Sequence, residues 1–216
     1  MSTEIKRIHT SEEVVEYYTN RMHTYGATAV GVGWKDEHAQ MVRFQQLVKV
    51  IGNPEGFTIN DVGCGIAALY NYLLTQSYKP ATYYGYDVLD SMLEEAARRL
   101  PVPEVKLTKI NDAREIATAD YSMASGIFNL KYGFSDDEMR SHVISTITEM
   151  NTHSRLGFGF NLLTGYSDKE YMQPHLYYAD PLFFFDYCKR NFSRNVALLH
   201  DYDQYDFTIL VRKKTI

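Results

Sequence analysis

Of the 216 residues only two are cysteine, Cys64 and Cys188, six are proline and one, Trp34, is tryptophan. Cys64 falls inside a glycine turn, so a structural disulfide is not expected and a reducing compartment is. No apolar run approaches the roughly 20 residues that a bilayer-spanning helix needs. The polar residues 1–10 lack the apolar stretch of a secretory leader. A cytoplasmic protein with no membrane partner is therefore expected. Positive charge is also short: 22 Lys and Arg against 27 Asp and Glu give a net charge of −5. That is not the basic footprint of a nucleic-acid binder, so nucleic acid is not the expected partner. Seven histidines are scattered with no metal-ligand spacing, and no metal is expected. Repeats, low-complexity tracts and interdomain linkers are missing too. The length suits one sizeable core.

Aromatic side chains, by contrast, are plentiful: 18 Tyr and 11 Phe. About half of the rings fall between residues 158 and 207, among them Tyr166, Tyr171, Tyr177, Tyr178, Phe183 and Phe184. Core packing is one reading of them and an apolar substrate pocket is the other.

Ser11 can cap a first helix with Val14, Val15, Tyr18 and Met22 on one face. A glycine-punctuated, rather apolar loop follows, from Gly26 to Trp34. Asp36 can cap a second helix with an apolar stripe of Met41, Phe44, Leu47, Val48 and Ile51. From there strands and helices alternate. Strands are expected at 57–62, 82–87, 104–110, 120–125 and 155–162. Helices are expected at 66–76, 91–100 (Asp90 as cap), 136–150 (opened by a capping box at Ser135) and 181–190 (capped by Asp180, with Pro181 in its first turn). Two last strands, 194–200 and 205–212, are too closely joined to enclose a crossover helix and must be antiparallel. The sum is an α/β fold: a Rossmann-like, open, mostly parallel sheet of about seven strands, with helices on both faces and an antiparallel end. Residues 1–55 read as a helical N-terminal extension over the ligand side of the sheet, and 56–216 as the main domain.

The chain is organised around Asn60-Asp61-Val62-Gly63-Cys64-Gly65-Ile66-Ala67-Ala68, a strand, a tight turn and a helix start. Gly63 and Gly65 let a ligand approach the main chain, and the helix N-terminus offers it free N–H groups. Gly63-x-Gly65-x-x-Ala68 also fits a dinucleotide fingerprint. Asp61 argues against that ligand, because a carboxylate there repels a pyrophosphate. It is also costly to bury without a partner.

At this point the sequence resembles the class I S-adenosylmethionine-dependent methyltransferases. Asp61 to Ala67 resembles their Asp/Glu-x-Gly-x-Gly-x-Gly motif, with Ala67 in place of the third glycine. The resemblance implies S-adenosylmethionine as cofactor. It implies that Asp87, ending Tyr84-Gly85-Tyr86-Asp87, holds the ribose hydroxyls, as a carboxylate can accept two hydrogen bonds from a diol. It puts Asp112, in Asn111-Asp112-Ala113, at the adenine amino group, although a plain helix cap is the alternative. Ser125-Gly126-Ile127-Phe128-Asn129 would lie beside the transferred methyl. Asp61 would meet the methionine amine or cap the turn. Gly26 to Phe44 is similar to a bacterial subgroup of small stand-alone enzymes in this superfamily.

Other assignments stay open in the sequence. Arg43 is either a snorkelling surface cation or a partner of the methionine carboxylate. Trp34 is packing or a lid on the cofactor. Asn129, His175 and Tyr178 are the candidate catalytic residues, with His200 as a further histidine of interest. Tyr17, Tyr18, Tyr25, Tyr177 and Tyr178 could meet the sulfonium by cation–π contact. The expected activity is methyl transfer to an oxygen, nitrogen or carboxylate of a small molecule. An RNA or protein acceptor is one alternative. Consumption of the cofactor with release of methylthioadenosine is another. A homo-oligomer is compatible with the sequence.

Overall fold

The computed structural model describes residues 11–214. The leader-free reading of residues 1–10 lies outside them. Strands β1 (Thr58–Val62), β2 (Thr82–Asp87), β3 (Val105–Lys109), β4 (Ala119–Ala124), β5 (Ser154–Leu163), β6 (Asn195–Leu199) and β7 (Asp206–Arg212) form one sheet. Helices α1 (Glu12–Tyr25), α2 (Glu37–Leu47), α3 (Ala68–Thr75), α4 (Asp90–Arg99), α5 (Asp136–Thr152) and α6 (Pro181–Asn191) surround it. The strand order is β3-β2-β1-β4-β5-β7-β6. Pairs among β1 to β5 are parallel, and β7 runs antiparallel to both β5 and β6. The order reverses at β1 and β4, so a crevice opens beyond their carboxyl ends.

Side chains alternate across the sheet. Val62, Ala124, Phe158 and Phe160 face a core closed by α5 and α6 through Met139, Val143, Ile147, Phe184 and Cys188. Ile59, Tyr83 and Met123 face the opposite core, closed by Phe44 and Leu47 of α2 and by Leu69 and Leu73 of α3. The second helix of the N-terminal region is thus part of the main core. Sheets buried on both faces read as near-continuous apolar runs, which is why their strands were visible in the sequence.

Local capping follows the side chains available. Ser11 Oγ accepts from Val14 N–H at 3.4 Å and Asp36 Oδ1 from Ala39 N–H at 2.7 Å. Ser135 and Glu138 form the capping box, and Asp180 caps α6 ahead of Pro181. Helix α4 departs from expectation. Leu89, not Asp90, stands at its cap position, and its N–H is taken by Asp87 Oδ1 at 3.0 Å. Asp90 lies in the first turn and pairs with Lys109 at 2.5 Å. The apolar loop after α1 folds into successive turns (Val32 N–H to Thr28 O, Trp34 N–H to Ala29 O), and Arg21 donates to Val30 O at 2.6 and 2.9 Å. Much of its main-chain hydrogen bonding is therefore met within the protein. No helix among the described residues is long and apolar enough to cross a membrane.

Candidate active site

At the end of β1 the chain turns through Gly63 (φ +74°), Gly65 (φ +53°) and Ala67 (φ +57°) into α3. The turn is locked from β2: Gly63 and Cys64 N–H both donate to Tyr86 O at 2.8 Å, and Gly65 N–H donates to Asp87 Oδ2 at 2.8 Å. A Cβ on Gly63 would stand 2.1 Å from Ile127 Cγ2, so that position must be glycine on grounds of space as well as φ. Asp87, half-buried, holds two main-chain N–H groups, those of Gly65 and Leu89. Burial pushes its carboxyl up, and these backbone bonds pull it back.

A cavity of about 2600 Å³ opens beyond this turn. Single small-ligand pockets are of the order of 300–1,000 Å³, so it has room for two ligands. The N-terminal region closes one side, with Val32 Cγ1 lying 3.7 Å from a Cβ on Gly65. Asp61, Gly63, Gly65, Asp87, Asp112, Ser125, Trp34, Arg43, Asn129 and His175 all line this cavity. Tyr178 does not. Its hydroxyl accepts from Gln173 N–H at 2.9 Å and ties the long loop to itself. Tyr177 is buried in the α5–α6 core, and Tyr25 is half exposed outside the cavity under Arg21. Those three tyrosines are therefore removed from the expected set, while Tyr17 and Tyr18 line the wall, packed edge to face at 5.1 Å. From the aromatic-rich C-terminal half, Tyr171 and Tyr205 reach the cavity.

Asp61 is almost fully buried, and Tyr83 donates its hydroxyl to Asp61 Oδ2. Burial pushes the Asp61 carboxyl up to about 7, against the lowering effect of the Tyr83 bond. Burial raises the Cys64 thiol well above its ordinary range, which keeps it protonated and unsuited to nucleophilic attack. Asp112 caps the turn at 113–115 and pairs with Arg114 at 2.7 Å. Asn129 Oδ1 is buried with no hydrogen-bond partner among the described residues. His200 ends at the cavity wall too, and Lys131 pairs with Asp136 at 2.7 Å.

Arg43 is not a surface cation. It is buried, it donates to Asp206, to Ala39 O at 2.5 Å and to Gln204 Oε1 at 3.1 Å, and it stacks 4.7 Å over Trp34. Asp206 was missed in the sequence although its signal matches that of Asp61, an acidic residue at the edge of an apolar strand run. Asn161 was missed as well. It accepts from Gly126 N–H at 2.8 Å and donates to Ser125 Oγ at 3.3 Å, fixing the turn after β4.

A seven-stranded sheet of this order, with a glycine turn after β1, an acidic residue ending β2 and an antiparallel β7, defines the class I methyltransferase fold. No family model matches the chain. A Mycobacterium tuberculosis (strain ATCC 25618 / H37Rv) protein named "Putative methyltransferase Rv1506c" is 46% identical over 166 residues, 77% of this chain and 99% of that protein. Among solved structures, magnesium protoporphyrin IX methyltransferase (ChlM) from Synechocystis PCC 6803 with bound SAH superposes with a TM-score of 0.62 at 13% identity, covering 96% of this chain and 98% of its own. Human N-acetylserotonin methyltransferase in complex with SAM gives 0.57 at 12% identity, over 93% of this chain and 66% of its own. At such low identity these two structures speak to the fold alone. The chain belongs to the methyltransferase family of its mycobacterial relative and has the class I methyltransferase fold.

Proposed function

We propose that this methyltransferase acts on a small-molecule acceptor and holds S-adenosylmethionine along the β1 and β2 ends of the cavity. The observation that carries this reading is the cavity itself, which is large enough for cofactor and acceptor together and whose wall carries more carboxylates than Lys and Arg side chains. The residues present fit the cofactor. The glycine turn brings bare main chain to the cavity, and Asp87 offers carboxylate oxygens to a diol. Asp61 offers a buried carboxylate that a cationic amine would stabilise in its ionised form. Asp112 and Ser125 complete the set, at the adenine and at the transfer end. When bound, S-adenosylmethionine supplies an electrophilic methyl group on a sulfonium.

The protein's own part is alignment and exclusion of water. Tyr17, Tyr18 and Trp34 screen the cavity from the N-terminal side. Asn129 Oδ1, buried and without a partner among the described residues, can accept a hydrogen bond from an acceptor hydroxyl or amine. His175 is the candidate to take the proton such a nucleophile releases. An RNA acceptor would call for several unpaired cations to meet phosphates, whereas Arg43 and Arg114 on the wall are already paired with Asp206 and Asp112, which leaves Lys35 as the one other Lys or Arg among the described residues of the wall.

Incubation with S-adenosylmethionine and a panel of small hydroxyl, amine and carboxylate compounds tests the reading by mass spectrometry. A methylated product with stoichiometric S-adenosylhomocysteine is expected. Release of methylthioadenosine, or turnover on RNA alone, would contradict it.

A further inference from the structure

Three elements converge on Trp34, the single tryptophan of the chain. Its Cη2 and Cζ2 atoms lie 2.6 and 2.7 Å from where a Cβ on Gly126 would stand, so the indole rests on bare main chain just past β4. Asn161 pins that main chain from β5. Arg43 covers the ring from α2, and Asp206 and Gln204 hold Arg43 from the β6–β7 side. Asp206 has no exposed surface, yet its Oδ1 finds no partner among the described residues, and neither does Arg43 Nε.

A buried ion pair contributes little net stability, because desolvation of two charges offsets most of their attraction and an apolar pair would pack as well. The reason for this pair is better sought in the cavity that Arg43 and Trp34 line. Leu163, Tyr171, Leu176 and Tyr205 line the same cavity and give this stretch of wall its rings, with Lys35, Asp201 and Asp203 beside them. Arg43, a buried cation on that wall, is already neutralised by Asp206. An anion placed there finds Arg43 already taken and the carboxylates of Asp201 and Asp203 outnumbering Lys35, while a flat neutral ring finds the phenol rings and the part of the indole that Arg43 leaves uncovered.

We propose that this part of the cavity takes a flat, uncharged aromatic acceptor, with Trp34 as the specificity-determining wall and Asp206 as a positioning residue acting through Arg43. Asp206 keeps the wall in place and cancels its charge. The proposal rests on the methyltransferase reading and deepens it by naming the acceptor class.

Two probes of one shape and different charge, 2-naphthol and 2-naphthoate, test it by calorimetric titration at saturating S-adenosylhomocysteine. The unmodified protein is expected to favour 2-naphthol by about tenfold or more. Asp206→Asn keeps the side-chain volume and frees Arg43. The preference should then move toward 2-naphthoate by about tenfold or more, with S-adenosylhomocysteine affinity within about threefold of the starting value. A merely structural Asp206 would weaken both probes alike. Trp34→Ala should weaken both by about tenfold. Preference for 2-naphthoate in the unmodified protein, binding of neither probe, or an unchanged ratio in folded Asp206→Asn would each overturn the proposal. If Asp206→Asn does not fold, the ratio in the unmodified protein and the Trp34→Ala loss decide it. Failure of S-adenosylhomocysteine to bind the unmodified protein would instead bring down the cofactor reading, and this proposal with it.

Discussion

Asp61 is the residue whose chemistry is most altered by its surroundings. Burial raises its carboxyl from 3.8 to about 7. The folded-state value lies above the unfolded one, so the folded protein holds an extra proton across that window. Its contribution to stability therefore falls as pH rises from about 4 to about 7, by an amount on the order of 4 kcal/mol. His142 acts in the opposite sense, because burial lowers it from 6.5 to about 4 and stability rises with pH between those values. The raw profile mixes the two, and the difference between the unmodified protein and Asp61→Asn isolates the first. Chemical denaturation from pH 4 to 8 should show Asp61→Asn gaining relative stability as pH rises through 7. A pH-independent difference would contradict the buried, proton-holding Asp61. Cofactor affinity should rise over pH 6 to 8 in the unmodified protein and stay flat in Asp61→Asn, because a cationic amine favours the ionised carboxylate.

The elements were legible where local chemistry decides them. The capping box at Ser135, the Asp36 and Asp180 caps and the apolar strand runs all lie within a few residues of what they govern. Ser135→Ala should cost about 1 kcal/mol, read as a lower denaturation midpoint without loss of secondary structure. Gly63→Ala should cost more, about 2 kcal/mol or above, because positive φ and the Ile127 side chain both oppose the added methyl. Ala67, where related motifs carry glycine, already sits in the left-handed region. Its strain of roughly 1 kcal/mol is nearly offset by its buried methyl, so Ala67→Gly should leave the midpoint almost unmoved. The cap of α4 was misread because Asp87, which takes the Leu89 N–H, lies in the preceding strand while Asp90 looked right by position. Tyr177 and Tyr178 were misread because a loop without periodicity gives no sign of which way a side chain faces.

At the scale of the whole molecule, topology gathers chemistry that the sequence keeps apart. Asp61, the glycine turn and Asp87 were found because each ends or follows a strand, and in a parallel sheet those ends share one edge. Arg43 and Asp206 stand 163 residues apart. Nothing local links them, and only the return of β7 between β5 and β6 brings Asp206 beneath α2. The same return carries Gln204 and Tyr205 to the cavity, so the N-terminal region and the C-terminal strand pair close it together. Cofactor binding at the cavity edge formed by β1 and β2 should depend on Asp87. Isothermal titration with S-adenosylhomocysteine tests it most directly. One site per chain is expected, with affinity reduced by about a hundredfold or more in Asp87→Ala while circular dichroism shows the fold retained. No binding to the unmodified protein, or an unchanged affinity in folded Asp87→Ala, would contradict it.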